Sequence, residues 1–298
     1  MSGGARAHVD VDRAVVVEHA ESLRGSSDAG LFADLEPALF LVDGGNLLWR
    51  AAHGQPAPFT AIDGRDLTPV FRFFTRLRRV LGTHGLFAEC VVCFDGAQAW
   101  TDRVAIDAGY KANRSYTDVD LAFMEWLPEI RAALDCCGVA NIELPTHEAD
   151  DLIATLAKQA EGRRVRILST DRDYYQLIDD ATVVVNTRTR PAVVDAATVT
   201  ERFGVTPQQW CDFRAITGDP SDGIPGLRGA GPSKAAALLA GGRMLEDVPE
   251  LEGSLDDLLR WRELIRLRTD VDVGIELTRE PTPKLPAAST VCRELGIA

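Results

Sequence analysis

The stretch Ala38-Leu39-Phe40-Leu41-Val42-Asp43 is an apolar run of strand length that ends in an acid. The same pattern returns in Glu89–Asp95, where Cys-Val-Val-Cys-Phe precedes the acid, and in Val165–Asp171. Strands that are apolar throughout are buried on both faces, which is typical of a parallel sheet. Helix-length segments separate these runs, as parallel crossovers require. We therefore predict an α/β fold, an open, mostly parallel sheet with helices on both faces.

Three regions follow from this reading of the chain. Residues 1–37 are an acidic N-terminal extension, with a helix expected at residues 11–23. Residues 38–195 form the α/β domain, and they contain an exposed insertion at about 97–122 that mixes aromatic and basic residues with few aliphatic ones. Residues 196–298 alternate helical segments with Gly and Pro, so we predict a helical region whose C-terminal end returns to the core.

Composition limits the class of protein. Hydrophobic residues make up 46% of the 298 residues and charged residues 26%, which excludes a disordered or collagen-like chain. The formal net charge of −13 argues against a nucleic-acid partner unless the acids are neutralised locally. No apolar run approaches the ~20 residues of a membrane span, and no signal peptide is visible. We expect a cytoplasmic protein without a membrane partner.

One cysteine pair has the spacing of a metal site. Cys90 and Cys93 are separated by two residues, but no second pair completes a zinc set. The pair lies inside an apolar run that reads as a buried strand. We therefore favour reduced, buried thiols over a zinc knuckle.

Carboxylates follow the predicted strands. Open parallel sheets place their functional sites beyond the carboxyl ends of the strands. After another apolar run, a helix is expected to begin near Ala149, which leaves one acid in the helix cap and two in the first turn. The acids brought to one sheet edge in this way are Asp43, Asp95, Glu148, Asp150, Asp151, Asp171 and Asp173.

Each of these acids alone is explained more simply as a helix cap or a loop residue. Seven together would repel one another so strongly that several would stay protonated without cations. Oxygen ligands with room for water suit Mg²⁺ or Mn²⁺. Two such ions, about 3.5–4 Å apart, stabilise the attacking and leaving oxygens of a phosphodiester displacement. The pattern predicts a metal-dependent nuclease, and bound cations would remove the objection raised by the net charge.

The insertion contains the basic stretch Tyr110-Lys111-Ala112-Asn113-Arg114. On a helix, Lys111 and Arg114 would share one face and could hold a scissile phosphate, while Tyr110 stacks on a base. A solvated basic patch accounts for the same residues, and the stretch by itself favours that simpler explanation.

A glycine turn, Gly229-Ala230-Gly231, opens a helix after the acids Asp219 and Asp222. Pro232 suits the first turn of that helix. Backbone N–H groups at such a helix start can bind a phosphate backbone without reading bases. An ordinary glycine-rich loop is the alternative, and it leaves the two acids unexplained. The residues predicted to contact DNA here are Gly226, Gly229, Gly231, Ser233 and Lys234.

A series of motifs between about Leu39 and Ile275 resembles the bacterial 5′ nucleases, which comprise standalone flap endonucleases and the 5′-3′ exonuclease domain of DNA polymerase I. In chain order the motifs are Leu41-Val-Asp-Gly-Gly-Asn-Leu-Leu-Trp-Arg-Ala51, Val91-Val-Cys-Phe-Asp-Gly96, Tyr110–Arg114, Glu148-Ala-Asp-Asp-Leu-Ile-Ala154, Thr170-Asp-Arg-Asp-Tyr-Tyr-Gln-Leu177, Gly218-Asp-Pro-Ser-Asp-Gly-Ile-Pro-Gly226 and Arg268-Thr-Asp270. Each motif is modest alone, but the ordered series is highly specific.

The resemblance implies an acidic sheet edge that holds two or three divalent ions, a helical arch formed by the insertion, and a helix-three-turn-helix module that grips duplex DNA, often with K⁺. By position, the first ion is implied for Asp43, Asp95, Glu148 and Asp150, and the second for Asp171, Asp173 and Asp219. Asp151 and Asp222 would act through water or an extra ion, and Lys111 and Arg114 would contact the scissile phosphate. Relatives usually have Asn at Gly223 and Lys-Thr at Ser233-Lys234, which leaves K⁺ binding open.

The resulting hypothesis is a standalone, monomeric, structure-specific 5′ nuclease that acts on DNA with 5′ flaps, nicks or free 5′ ends in replication and repair. A non-catalytic DNA-structure binder of the same fold is the first rival, and the complete acidic set disfavours it. A small toxin-type ribonuclease would lack both the arch and the glycine turn. A phosphatase with a nucleophilic Asp fails because Asp43 has no Asp two residues further on.

Overall fold

A computed structural model describes residues 36–53, 59–60, 64–115, 117–118, 121, 124–160, 162–188 and 192–294. The chain divides into two units, residues 1–36 and 37–298. Except for its last two residues, the acidic extension lies outside the described residues, and so does the helix expected at 11–23.

A six-stranded sheet in the order β3-β2-β1-β4-β5-β6 forms the centre of the second unit. Strands β1 to β5 are parallel, and β6 is an antiparallel edge strand. The strands are β1 (Ala38–Asp43), β2 (Ala88–Phe94), β3 (Ala140–Glu143), β4 (Val165–Leu168), β5 (Thr182–Val185) and β6 (Val193–Val194). Leu39 pairs with Glu89 of β2 and Val165 of β4, so three acid-terminated strands are direct neighbours. The predicted fold class is confirmed.

The helices cover both faces of this sheet. They are α1 (Gly44–Ala52), α2 (Thr68–His84), α3 (Thr101–Ile106), α4 (Leu127–Cys136), α5 (Ala149–Gln159), α6 (Ala196–Phe203), α7 (Trp210–Thr217), α8 (Pro232–Leu238), α9 (Leu255–Ile265) and α10 (Ala288–Glu294). Short 3₁₀ turns lie at Asp173–Leu177, Pro207–Gln209, Leu245–Asp247 and Pro249–Ser254. Within the described ranges, no helix is long and apolar enough to cross a membrane.

Two hydrophobic cores lie on opposite faces of the sheet, because alternate residues of a strand point in opposite directions. Phe40 and Val42 of β1 belong to a core with α1, α2, α4 and α10. Leu39 and Leu41 belong to the other core, which contains α5 and helices α6 to α9. Helices α6 to α9 therefore pack on one face of the sheet, and α10 packs against α2 on the other.

The cysteine pair lies in β2, as the sequence predicts. Cys90 and Cys93 are free and buried. Burial raises the pKa of Cys90 to about 12, so that thiol remains protonated and unreactive at neutral pH.

Candidate active site

The first carboxylate group comprises Asp43, Asp95, Glu148 and Asp150. Asp43 ends β1 and also caps α1, because its Oδ1 accepts a hydrogen bond from Asn46 N at 2.9 Å. Asp95 follows β2, and its Oδ1 accepts from Ala149 N at 2.7 Å, which ties the start of α5 to the sheet edge. Glu148 occupies the N-cap position of α5 and Asp150 lies in its first turn. The sheet topology therefore brings all four acids to one edge.

These acids are close enough to change one another's ionisation. Burial, together with the charges of Asp95 and Asp171, raises the pKa of Asp43 to about 7. Burial and then the charges of Asp171 and Asp43 raise the pKa of Asp150 well above its usual range. Burial and Glu148 also raise the pKa of Asp95. Full ionisation of this group at neutral pH requires added positive charge, so its chemistry fits divalent cations.

Glu148 already has cationic partners from the insertion. Arg103 Nη1 and Lys111 Nζ both pair with its carboxylate, and Tyr110 OH donates to Oε2 at 3.1 Å. Asp150, by contrast, accepts a hydrogen bond from the neutral hydroxyl of Tyr174. The charge within the first group is therefore compensated unevenly.

Asp151 is held by Arg103, whose Nη1 also pairs with Glu148, so its predicted action through water or an extra ion stays a prediction. Its carboxylate receives Arg103 Nη2 at 2.7 Å and Nη1 at 2.9 Å, and Arg268 N at 2.9 Å. Asp150 and Asp151 are successive residues of α5 and therefore face different sides of the helix. In this structure Asp151 is a buried partner of Arg103.

Asp173, Asp219 and Asp222 form a second carboxylate group. One oxygen of each lies within 4.8 Å of the others, close enough to hold a single ion. The turn that carries the last two acids is closed by two reciprocal backbone hydrogen bonds between Asp219 and Ile224, both 2.8 Å long. Burial and the charge of Asp171 raise the pKa of Asp173 to about 7.

Asp171 connects the two groups. Its charge raises the pKa of Asp150 and Asp43 in the first group and of Asp173 in the second. Its Oδ1 also accepts a hydrogen bond from Asp173 N at 2.9 Å. The family resemblance implies that Asp171 serves the second ion with Asp173 and Asp219, whereas in the structure Asp222 completes the triad with Asp173 and Asp219.

The sequence reasoning missed Arg103, Tyr174 and Arg214. Arg214 Nε lies 3.3 Å from Asp173 Oδ1, and its Nη2 pairs with Asp219. It is therefore an internal cation of the second group. Tyr174 stands inside a quoted motif and could have been noticed there. Arg103 and Arg214 lie on short helices outside the motifs, and nothing in their local pattern separates them from surface arginines.

The basic stretch of the insertion is not helical, contrary to the prediction. The side chain of Asp107 accepts from Gly109 N, and Lys111 has a left-handed backbone with φ of 53°. Lys111 N then donates to Asp222 O at 2.9 Å. Arg114 Nη2 lies 2.9 Å from Asp222 Oδ1. Lys111 and Arg114 thus reach the acidic site through turns, each pairing with a different carboxylate group.

Tyr110 does not offer a stacking surface. Only 5% of the residue is exposed, and Lys111 Nζ lies 4.9 Å from the ring centre. Its hydroxyl is held by Glu148, a buried acid, so the ring is drawn inward. The prediction that Tyr110 stacks on a base is inconsistent with this arrangement.

At Gly223 and Gly226, near the glycine turn, the structure leaves no room for a side chain. A Cβ at Gly223 would lie 2.3 Å from Gly109 O, so this position packs against the insertion. Gly226 has φ of 71°, and a Cβ there would lie 2.5 Å from Gly218 N. A DNA contact from Gly226 remains a prediction, whereas its packing role is observed.

The glycine turn presents an open surface at the start of α8. Gly231 is the N-cap residue, and Gly229 has φ of 75° with nothing within 4 Å of the place a Cβ would take. Ser233 and Lys234 follow in the first turn and are exposed. The geometry is compatible with the predicted backbone contacts.

The parallel sheet with two carboxylate groups at its edge and a glycine turn beyond it defines a class of acidic-edge α/β proteins with a helical companion region. The chain belongs to the 5′-3′ exonuclease family. The family model described as "5'-3' exonuclease, N-terminal resolvase-like domain" matches residues 38–204, and "5'-3' exonuclease, C-terminal SAM fold" matches residues 205–285. The resemblance found in the motifs is confirmed.

Known proteins with similar chains or folds include a thermostable DNA polymerase I from Thermus thermophilus. It is 37% identical over 260 residues, which cover 82% of this chain and 30% of the relative. A T5 5′-exonuclease structure with bound divalent metal ions (zinc) covers 78% of this chain and 90% of its own, with a TM-score of 0.65 at 23% identity. The catalytic core of Rad2 in complex with a DNA substrate covers 88% and 92%, with a TM-score of 0.53 at 15% identity. The chain thus spans about a third of the polymerase's length.

Proposed function

We propose that this protein is a divalent-metal-dependent, structure-specific 5′ nuclease that acts as a monomer on DNA with 5′ flaps, nicks or free 5′ ends. The observation that carries the proposal is the pair of carboxylate groups joined by Asp171. Buried acids whose pKa values are raised by one another would be poorly ionised at neutral pH without divalent cations. The neighbours with bound metal ions and with DNA support the same chemistry.

The residues present fit Mg²⁺ or Mn²⁺. Asp43, Asp95, Glu148 and Asp150 would hold one ion, while Asp173, Asp219 and Asp222 would hold a second, with Asp171 shared between them. Such ions supply charge stabilisation to both the attacking and the leaving oxygens of the phosphodiester. A third ion is compatible with this number of acids. A K⁺ ion at the glycine turn is a further expectation from the resemblance.

Lys111 and Arg114 would bind the phosphate to be cleaved. Both cations are held beside the site by Glu148 and Asp222, which are themselves candidate metal ligands. If those acids held metal ions, the ammonium group of Lys111 and the guanidinium group of Arg114 would lose their carboxylate partners. A substrate phosphate can then replace those partners as the counter-charge. The two side chains would orient the phosphodiester, and Arg103 would keep Glu148 directed towards the edge.

The duplex would be held through its backbone. Gly229, Gly231, Ser233 and Lys234 offer N–H groups and one cation at the start of α8, and none of these distinguishes one base pair from another. The exposed face of α8 carries small residues instead of the Arg, Asn or Gln side chains of a sequence reader. Cleavage should therefore follow the junction of single strand and duplex.

A single assay tests this proposal. Three 5′-labelled substrates, a flap, a nicked duplex and a single strand, are incubated with Mg²⁺, Mn²⁺ or EDTA. We expect metal-dependent cuts at the junction, which move with the junction when it is placed in unrelated sequences. Cleavage that persists in EDTA would exclude the metal mechanism. Cuts that stay at one sequence wherever the junction lies would exclude structure-specific recognition.

A further inference from the structure

A buried hydroxyl lies at the carboxyl end of the two central strands of the sheet. Ser169 is the first residue after β4, and only 1% of it is exposed. Val42 of β1 pairs with Leu168 of β4 in the parallel register, so the residues that follow them, Asp43 and Ser169, lie side by side. Ser169 stands one position before the motif Thr170–Leu177, and the family resemblance assigns it no role.

The hydroxyl of Ser169 connects the two carboxylate groups. Its Oγ donates to Asp43 Oδ2 at 2.8 Å and accepts a hydrogen bond from Asp171 N at 3.0 Å. Asp171 Oδ1 in turn accepts from Asp173 N at 2.9 Å. A series of three hydrogen bonds therefore runs from Asp43 in the first group, through Ser169 and Asp171, to Asp173 in the second.

Asn46 fixes the same loop from the α1 side. Asn46 Nδ2 donates to Thr170 Oγ1 at 2.8 Å, and Thr170 N donates to Asn46 Oδ1 at 3.2 Å. Asn46 N also donates to Asp43 Oδ1 at 2.9 Å. With Ser169 on Oδ2, each oxygen of the Asp43 carboxylate accepts a hydrogen bond. The orientation of that carboxylate is therefore fixed, and each oxygen keeps a further lone pair for a cation.

The groups that hold Asp43 in this way are neutral. Glu148, by contrast, pairs with Lys111, and Asp173 contacts Arg214. A neutral donor orients a carboxylate without supplying a positive charge that competes with a metal ion. Hydrogen bonds that orient metal ligands typically change metal affinity by about 10–100-fold when they are removed.

We infer that Ser169 is a positioning residue for the divalent ions, because its hydroxyl holds Asp43 and Asp171 in the arrangement that lets the two carboxylate groups bind neighbouring ions. The hydroxyl acts through these two acids. This inference rests on the proposed function, and it adds a residue on which the spacing of the two groups depends.

The test uses variants of the full chain that remove or keep this hydroxyl. Ser169→Ala removes it and Ser169→Thr keeps it. Thr155→Val is the matched control, because Thr155 is also 1% exposed, and its Oγ1 donates to Arg268 O at 3.4 Å and accepts from Val271 N at 3.3 Å. The control therefore loses a buried hydroxyl with the same two functions, but away from the acidic edge.

Binding of Mn²⁺ to each metal-free protein is measured without DNA, from the electron paramagnetic resonance signal of free Mn²⁺. We expect Ser169→Ala to bind Mn²⁺ about tenfold or more weakly than wild type, while Ser169→Thr and Thr155→Val match wild type. Two ions about 3.5–4 Å apart interact magnetically. Near saturation, the spin-coupled signal of such a pair should appear in wild type and Ser169→Thr and be reduced in Ser169→Ala.

A further variant keeps the test decisive if Ser169→Ala does not fold. Ser169→Cys has nearly the size of the native residue, but its S–H group is a weaker donor than a hydroxyl. It should bind Mn²⁺ more weakly than Ser169→Thr and more tightly than Ser169→Ala. Equal Mn²⁺ affinity of the Cys and Thr variants would contradict a role for the hydroxyl.

Three other results would overturn the inference. Ser169→Ala could bind Mn²⁺ as tightly as wild type, Ser169→Thr could lose as much affinity as Ser169→Ala, or Thr155→Val could lose as much as either. The proposed function is checked separately by wild type. Absence of Mn²⁺ binding by wild type, or flap cleavage by wild type in EDTA, would reject the proposed function and this inference together. Normal wild-type behaviour with an unaffected Ser169→Ala would reject this inference alone.

Discussion

In both carboxylate groups the acids repel one another, but the side chains that offset this repulsion differ between the two groups. The second group contains its own cation, because Arg214 contacts both Asp173 and Asp219. In the first group, Arg103 and Lys111 both pair with Glu148, while Asp150 has the neutral hydroxyl of Tyr174. The first group is therefore the one that depends more on added positive charge. The difference shows that acids at one sheet edge are not equivalent even when they are neighbours in sequence.

The largest expected effect separates Asp150 from Asp151. Asp150→Asn should lower the cleavage rate by about two to three orders of magnitude with DNA binding retained, because charge stabilisation in the transition state is lost. Asp151→Asn should instead destabilise the fold by about 3–5 kcal/mol, since it breaks a buried pair with Arg103. Single-turnover kinetics and denaturant unfolding measure the two effects. If the two variants behaved alike, the distinction between ligand and structural partner would be wrong.

A smaller effect should distinguish Lys111, which pairs with Glu148 of the first carboxylate group, from Lys234 at the glycine turn. Lys111→Ala should slow the chemical step in single-turnover assays by about tenfold or more, because it pairs with Glu148 beside the reacting phosphate. Lys234→Ala should mainly weaken duplex binding and reduce its salt slope by about 1. An unchanged single-turnover rate for Lys111→Ala would return the basic stretch to the solvated-patch interpretation.

The internal cation of the second group can be removed directly. Arg214→Gln should destabilise the metal-free protein by about 1–3 kcal/mol, because Asp173 and Asp219 lose their charged hydrogen-bond donor. Addition of Mn²⁺ should then raise the melting temperature of the variant more than that of wild type. Arg243→Gln, at a half-buried arginine that donates to the backbone carbonyls of Ala240 and Ala237, serves as the control. An equal Mn²⁺ response in all three proteins would argue against competition between Arg214 and a metal ion.

The smallest expected effect is a pH dependence in the first group. The pKa of Asp43 is about 7 in the folded chain against an ordinary value of 3.8, so the folded state binds a proton that the unfolded state has released. Stability from this group is present below pH 4 and is lost as pH rises towards 7. In EDTA, the melting temperature of Asp43→Asn should therefore rise by several degrees relative to that of wild type as the pH increases across this range. A constant difference between the two proteins, measured by calorimetry, would contradict the raised pKa.

The strands, the start of α5 and the acidic edge of the sheet can be predicted from local sequence. The apolar runs of β1 and β2 predict buried parallel strands, and parallel strands bring Asp43 and Asp95 to one edge whatever else the chain does. The acids around Ala149 predict the start of α5, because carboxylates favour the first turn of a helix. These features depend on residues a few positions apart. The 3.6-residue period of a helix and the two-residue period of a strand therefore make them visible in the sequence.

Tertiary packing determines which acidic and basic side chains become partners. Asp151 pairs with Arg103, which is 48 residues away in the chain, whereas Asp150 accepts a hydrogen bond from Tyr174. Tyr110 turns inward because Glu148 accepts its hydroxyl, and Lys111 leaves the helical conformation beside Asp222, again through distant partners. A buried charge is costly unless a partner is supplied, so the position of each acid and base is set by which partners the folded chain brings within reach. No local period encodes that choice, because the partners meet only after the sheet and both cores have formed.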